Sequence, residues 1–109
     1  MAPHAAGVGT AFGAIEALAR CLAAEWSPSG VRVVCIRSGG MYDTDTIQQA
    51  FKSRGLSEEA IWDNIKQSYL LKRMPVVNDT AKIAAFIASD RANTLTGRII
   101  NASCGQVLD

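Results

Sequence analysis

The chain has 109 residues and a formal net charge of +1, and 49% of its residues are hydrophobic. This length suits a single domain, residues 1–109, but is short for a complete dinucleotide-binding enzyme. Lys and Arg are scattered, and Glu16, Arg20 and Glu25 interrupt the longest apolar run. We therefore expect neither a nucleic-acid-binding surface nor a membrane span.

The first predicted element is a long helix that begins near Thr10 and covers Ala11–Glu25. This stretch is rich in Ala and Leu and contains no Pro, which favours a helix. It is apolar over most of its circumference, so we expect it to be covered on more than one side. A turn at Ser27–Gly30 leads to Val31–Ile36, a β-branched run typical of a parallel strand buried on both faces.

Three glycines at the start of this helix, Gly7, Gly9 and Gly13, superficially match a phosphate-binding loop. Met1–Ala6 does not supply the preceding strand that this pattern requires, however, and the strand that follows the helix ends in Arg37 instead of an acidic ribose partner. We interpret them as a flexible lead-in with small residues for close helix packing.

The middle of the chain predicts two helices. The first is capped by Thr44 or Asp45 and runs through Lys52, and the second is capped by Ser57. The second helix carries apolar residues at helical spacing: Ile61, Trp62, Ile65 and Tyr69. We interpret its aromatic residues as packing residues, with the lining of a substrate pocket as the alternative.

The last part of the chain predicts one more helix and one more strand. Asn78 is expected to cap the helix, and Ser89-Asp90-Arg91 closes it. Thr96-Gly97 then turns the chain into the strand Arg98–Ala102. A long helical crossover joins the two strands, which predicts a right-handed connection and a parallel pair.

No pattern in the sequence indicates a metal site or a secreted protein. Cys21, Cys35 and Cys104 show no metal-binding spacing, and His4 is the single histidine. The start, MAPHAAGVG, lacks the basic region and leucine-rich run of a signal peptide. We predict a cytoplasmic chain in which Cys21 and Cys35 are reduced core residues.

Two segments resemble the short-chain dehydrogenase/reductase family. The run AIEALARCLAAEWSPSGVRVVCIR resembles the family's sixth helix and strand, in which the helix with the active-site tyrosine and lysine precedes "G-I-R-V". Phe86–Asp90 followed by Leu95–Gly97 resembles the family's "F-L-x-S-D-x-A-x-x-I-T-G". The resemblance implies the C-terminal part of the fold, without the N-terminal cofactor-binding half. Ala102–Gly105 keeps only the final glycine of the family's "V-D-G-G", which suggests a divergent branch.

This resemblance places Val8 at the position of the family's tyrosine and Phe12 at that of its lysine. The tyrosine is the general acid, and the lysine lowers its pKa and holds the ribose. Neither Val8 nor Phe12 has an ionisable group, so we predict no catalytic residue in this chain.

The loop after the first strand is the candidate cofactor site. In the family it begins with Pro-Gly and runs over the nicotinamide, so the resemblance assigns Ser38, Gly39 and Thr44 to cofactor binding. A Gly-rich loop at the end of a parallel strand is also where open α/β sheets bind ligands. The alternative is a turn that needs Gly39 or Gly40 at positive φ. We expect no cofactor for this chain alone, and NAD(P) if a complete site is assembled.

Together these elements predict an incomplete Rossmann-like α/β unit: a long helix, then two parallel strands joined by a helical crossover. A two-stranded parallel sheet leaves faces and an edge uncovered, so we expect completion by oligomerisation. The family resemblance suggests a homodimer or homotetramer formed through the helix Ala11–Glu25, through the last helix and strand, or through both.

Two functional hypotheses follow. In the first, the chain is not catalytically competent alone and acts as an oligomeric module of unknown role. In the second, it is the C-terminal portion of an NAD(P)-dependent oxidoreductase whose N-terminal half is missing or supplied by another chain. A genuine start at Met1 favours the first hypothesis, and an upstream Gly-rich strand-turn-helix favours the second.

Overall fold

A computed structural model of the chain describes residues 6–108. Within them lie four helices and two strands: α1 Ala6–Trp26, β1 Val34–Arg37, α2 Asp45–Ser53, α3 Glu58–Ser68, α4 Val77–Ala88 and β2 Arg98–Asn101. Short 3-10 turns occur at Ser27–Ser29 and Asp90–Ala92. The predicted α/β class is confirmed.

The strands β1 and β2 form a two-stranded sheet. Gly97 N donates to Val33 O over 2.8 Å, and Ala102 N donates to Arg37 O over 2.8 Å. Because the residue numbers of both partners rise together, the strands are parallel, as predicted. All four residues of β1 are only half-buried, so the prediction of a strand buried on both faces is wrong for this chain alone. Two strands and their crossover do not cover both faces.

The chain divides into two compact units. The first comprises Met1–Cys35 and Ile87–Ile100, and the second comprises Ile36–Phe86 and Asn101–Asp109. Each strand begins in the first unit and ends in the second.

In the first unit, α1 begins at Ala6, not near Thr10. Thr10 Oγ1 donates to Ala6 O over 2.7 Å inside the helix. The glycines predicted to form a flexible lead-in are therefore helical, and that prediction is wrong for them. Helical glycines also form no phosphate-binding loop. The predicted start is too late because the Ala-rich sequence extends the helix toward the N-terminus.

One face of α1 is covered at its C-terminal half and bare at its N-terminal half. Ala19 and Ala23 are buried. Four large side chains of α1 are more than half exposed, namely Val8, Phe12, Ile15 and Leu18, and Trp26 at the end of the helix is 48% exposed. Cys21 is also exposed, so its prediction as a core residue is wrong. Coverage on more than one side is thus not provided by this chain itself.

By length and composition alone, Ala6–Ser29 is apolar enough to cross a membrane. This single helix is weak ground for such a role, because a helix that packs against protein on several sides has the same composition. The charged residues Glu16, Arg20 and Glu25, on which the expectation of no membrane span was based, therefore do not exclude one by themselves.

Arg32 ties the approach to β1 to the segment that follows α4. Its guanidinium donates to the carbonyl oxygens of Ile87, Ser89 and Leu95 over 2.8, 3.3 and 3.3 Å. Ile87 is in the last turn of α4, where a cation also interacts favourably with the helix dipole. This fan of charge-assisted hydrogen bonds stabilises the first unit.

Residues 31–33, predicted as strand, are not part of β1. The backbone N of Val33 donates to the Oγ1 of Thr96 over 3.1 Å, and Ser27 Oγ lies 2.7 Å from the same oxygen. A side chain therefore takes the place of a ladder partner, and the strand begins three residues later than predicted.

The second unit has its own core, built on Ile65, Tyr69 and Met74. Five partly buried residues pack against it: Tyr42, Ile47, Phe51, Ile61 and Cys104. The predicted cap at Ser57 is confirmed, because Ala60 N donates to its Oγ over 3.2 Å. Tyr69 lies one residue beyond the end of α3.

The predicted cap at Asn78 is wrong, because α4 already begins at Val77. Two aspartates accept from the backbone at this end instead. Val76 N donates to Asp79 Oδ2 and Val77 N to Asp43 Oδ1, both over 2.9 Å. Carboxylates stabilise a helix N-terminus better than a neutral amide, because the dipole favours negative charge there.

Candidate functional site

The candidate cofactor loop runs from Ser38 to Thr44 and joins β1 to α2. Ser38 Oγ donates to Gly39 O over 3.1 Å. Gly39 has φ +66°, in the left-handed region, so the prediction of a glycine at positive φ is confirmed at this position. A Cβ there would lie 3.1 Å from Gln106 Oε1. The backbone angle and the near side chain both favour glycine.

Thr44 stands at the other end of the loop and is half-buried at the N-cap position of α2. Its side chain does not cap the helix, because Oγ1 donates to Met41 O over 2.8 Å. The hydroxyl keeps its acceptor lone pairs for a ligand that carries a donor group, such as an amide. Asp43 and Asp45 flank it with two carboxylates, which disfavour a phosphate at this end.

The structure therefore places Ser38, Gly39 and Thr44 on one short loop at the C-terminal end of a parallel strand. This suits contact with an uncharged polar group, such as the nicotinamide amide of NAD(P). The loop does not by itself supply a cradle for the diphosphate or a partner for the adenosine. That these three residues contact one end of NAD(P) therefore stays a prediction.

Contacts that the sequence did not reveal hold this loop in place. Tyr42 N donates to Pro75 O over 2.9 Å, and Gln48 Nε2 donates to Tyr42 O over 2.6 Å. A Cβ on Gly40 would lie 2.7 Å from the Cδ1 atom of Ile47, so a larger residue there would require the Ile47 side chain to shift. The sequence did not indicate the contact of Tyr42 with Pro75, because α2 and α3 lie between the two residues in the chain.

Trp62 and Tyr69 make packing contacts in the second unit, as the sequence indicated. The ring of Tyr42 stacks on Trp62 with centroids 5.3 Å apart, and it lies 6.3 Å from the ring of Phe51. Tyr69 is buried in the core. Burial raises the pKa of the Tyr69 hydroxyl, and electrostatic repulsion from Cys104 raises it further.

The two positions that the resemblance assigns to the family's catalytic pair lie on α1. Val8 and Phe12 are four residues apart, hence one turn apart on one face, and they are 58% and 62% exposed. Two apolar side chains in these places provide no proton donor and no cation.

No group of three metal-binding side chains occurs in residues 6–108. The histidine at position 4 lies outside the described residues, so its predicted lack of a role stays a prediction.

A groove of about 600 Å³ opens in the second unit beside α4 and the segment after β2. An ion pair lies in its lining, with Arg73 Nη1 at 2.7 Å from Asp79 Oδ2. The hydrogen bond from Arg73 is the main reason that the pKa of the Asp79 carboxyl lies below its usual value, and the backbone bond from Val76 lowers it further.

Comparison with known proteins identifies relatives in sequence and in fold. A family model described as Enoyl-(Acyl carrier protein) reductase matches residues 1–106. A 1,6-dihydroxycyclohexa-2,4-diene-1-carboxylate dehydrogenase of Pseudomonas putida is 29% identical over 111 residues, which cover 95% of this chain and 40% of that protein. The chloroplastic NADPH-dependent aldehyde reductase 2 of Arabidopsis thaliana is 30% identical over 95 residues, with 87% and 32% covered.

Among solved structures, a short chain dehydrogenase family protein from Francisella tularensis matches with a TM-score of 0.84 and 24% identity. The match covers 97% of this chain and 45% of the other. The chain therefore spans less than half the length of the relatives it matches, and its strands and helices have the arrangement of a Rossmann-type fold.

Proposed function

The chain belongs to the short-chain dehydrogenase/reductase family, and from this premise we propose that it has no oxidoreductase activity alone and acts as an oligomeric module. The observation that carries this proposal is the pair of exposed apolar side chains at Val8 and Phe12. The family's reaction needs a tyrosine that exchanges a proton with the carbinol oxygen and a lysine that lowers the pKa of that tyrosine. Neither group is available from α1.

The two tyrosines of the chain, Tyr42 and Tyr69, are poor substitutes. Tyr42 is engaged in the stack with Trp62, within the second unit. Tyr69 is buried, and its pKa is raised by that burial, so the phenolate is disfavoured. A general acid that must also give up its proton near neutral pH needs a pKa shifted the other way.

The oligomeric part of the proposal rests on the surface that the chain leaves uncovered. Its accessible surface is 7631 Å², whereas a folded monomer of 11.6 kDa is expected to expose about 5,800 Å². The excess is roughly 1,800 Å², which is the size of surface that one subunit buries in a large, permanent interface. The bare N-terminal half of α1 and the half-buried strand β1 are the apolar surfaces that such an interface would cover.

A second candidate function fits the same surfaces. The relatives are more than twice as long as this chain, and the uncovered face of α1 is where additional strands would pack. In this case the chain is the C-terminal portion of an NAD(P)-dependent oxidoreductase, and the missing half, in the same protein or in another chain, supplies the cofactor diphosphate site. We expect a cytoplasmic location in either case.

The test is calorimetric titration of the purified chain with NADH and NADPH, together with sedimentation to fix the oligomeric state. We expect a folded oligomer, no saturable binding at millimolar cofactor, and no oxidation of NAD(P)H with carbonyl substrates. Stoichiometric binding would overturn the proposal, because it would mean that assembly of copies completes a cofactor site around Gly39 and Thr44.

The second candidate is tested by adding a separately produced N-terminal half of a family enzyme. We compare the natural chain with the double variant Val8→Tyr, Phe12→Lys. Turnover that requires both the added half and the double variant would show that the assembled fold can support catalysis. It would also show that the natural chain lacks activity because it has no tyrosine and lysine at these two positions of α1. Turnover of the natural chain with the added half would instead favour an active, divergent enzyme.

A further inference from the structure

The groove in the second unit has a lining that suits one chemical class of ligand. Its apolar wall is formed by Leu71, Pro75, Ile83, Val107 and Leu108. Its volume of about 600 Å³ lies within the range of small-molecule sites. Leu71 and Leu108 are 65% and 76% exposed, so the mouth of the groove is apolar as well.

The polar groups along the groove are already satisfied by the protein. Asn101 Nδ2 donates to Val107 O over 2.6 Å, and Ser103 N donates to Asn101 Oδ1 over 3.2 Å. The guanidinium of Arg73 is paired with Asp79. In the described part of the chain, no buried side-chain nitrogen or oxygen lacks a hydrogen-bond partner. A ligand can therefore occupy the groove without forming hydrogen bonds to these polar groups.

Among the described residues that line the groove, the charges leave one cation unbalanced. Arg73 and Asp79 cancel, and Lys82, one turn along α4 from Asp79, also lines the groove. No described carboxylate forms an ion pair with Lys82, although its charge contributes to the low pKa of Asp79. An ammonium at the edge of an apolar groove favours a ligand with one negative charge at one end.

We propose that this groove binds an amphiphilic monoanion, a medium-chain aliphatic carboxylate whose chain lies along Leu71, Ile83 and Val107 and whose carboxylate pairs with Lys82. Apolar burial supplies the larger share of the affinity, since each buried methylene contributes about 0.8 kcal/mol. The ion pair at an exposed site adds orientation and a small part of the affinity. Nothing in this assignment depends on a cofactor or on the residues at Val8 and Phe12.

The experiment is calorimetric titration of the full chain with sodium decanoate below its micelle concentration. Butyrate and decanol serve as probes of chain length and of charge. We expect saturable binding of one decanoate per chain, no measurable binding of butyrate, and weaker binding of decanol. Absence of saturable decanoate binding, or equal binding of decanol and decanoate, would overturn the assignment.

Two matched pairs of variants locate the site. Lys82→Gln removes the cation, and we expect about two- to fivefold weaker decanoate binding. The control Lys52→Gln, in the last turn of α2, is expected to change nothing. Leu71→Asp places a carboxylate in the wall, and we expect about tenfold or greater loss, whereas Leu56→Asp, at an exposed position outside the groove lining, retains binding.

Leu71 is well exposed, and its backbone N keeps its bond to Cys104 O whichever side chain is present, so its replacement leaves the fold intact. Equal affinity in all four variants would mean that decanoate binds elsewhere and would refute the site. Sedimentation of the same samples detects the remaining possibility. If the groove binds no decanoate because a second copy covers it, Leu71→Asp will dissociate the oligomer and the assignment to a small ligand is wrong.

Discussion

Gly39 is the residue of the candidate loop whose identity the backbone fixes most firmly. Its φ of +66° disfavours any side chain, and Gln106 stands 3.1 Å from where a Cβ would be. We expect Gly39→Ala to lower the free energy of unfolding by about 1–2 kcal/mol, measured by urea denaturation. The control Gly13→Ala, in the middle of α1 with no atom near the new Cβ, should raise it by about 0.5–1 kcal/mol. A neutral Gly39→Ala would mean that the loop relaxes to another conformation.

Asp79 links stability to pH at the start of α4. Its pKa is lowered chiefly by the hydrogen bond from Arg73, so the folded state binds its proton less tightly than the unfolded state does. The stabilisation is therefore present above the ordinary carboxyl pKa and is lost as the pH falls through the folded-state pKa. We expect Asp79→Asn to lower the urea midpoint at pH 7.

At pH 3 and below, the difference between the natural chain and Asp79→Asn should shrink, because the natural carboxyl is then becoming protonated. Asp63→Asn, on an exposed part of α3, serves as the control and should change the midpoint little at either pH. A difference for Asp79→Asn that is the same at pH 7 and pH 3 would contradict a role for its charge.

At the scale of elements, helix α1 is where this chain departs most from a self-contained fold. The face that buries Ala19 and Ala23 continues toward the N-terminus through Val8, Phe12 and Ile15, and this continuation is bare. A helix gains most of its stability in proteins from packing of its apolar face, so the bare half is the part that needs a partner.

A charge placed on that face should prevent association. We expect Phe12→Glu to shift the chain toward the monomer in sedimentation velocity, because a carboxylate would be buried without a partner. Ala17→Glu introduces the same charge at an exposed position on the opposite side of α1 and should leave the oligomer intact. Equal dissociation of both variants would point to net charge, and dissociation of neither would place the interface elsewhere.

The sequence predicted those features of the helices and strands that depend on neighbouring residues in the chain. Ser57 and the acidic residues after it define the start of α3, and the glycine at positive φ was expected in the loop that contains Gly39. The start of β1 was not readable, because Thr96 replaces a strand partner of Val33 from 63 residues away. The candidate site followed the same division. Its glycine was predicted, whereas the contact of Tyr42 with Pro75 depends on tertiary packing.

At the scale of the whole molecule, the question is whether the chain is stable without a partner. Its accessible surface exceeds by roughly 1,800 Å² that expected for a monomer of its mass, and several large apolar side chains on α1 contribute to the exposed surface. A small domain has a net stability of only about 5–15 kcal/mol. Burial of an uncovered face of this size would therefore contribute a large fraction of the net stability.

The stability of this chain should therefore depend on its concentration. If unfolding is coupled to dissociation of a dimer, mass action favours the folded state as protein is added. For a domain of about 100 residues, each tenfold rise in concentration should raise the Tm by about 3–6 °C. Differential scanning calorimetry over a hundredfold range of concentration measures this slope, and Phe12→Glu should abolish it while Ala17→Glu preserves it. A Tm that does not change with concentration, in a chain that sediments as a monomer, would mean that the two units are stable with the bare face of α1 in water. The proposal of an oligomeric module would then be wrong. The second candidate, in which the other half of the family fold covers the exposed face, would be favoured.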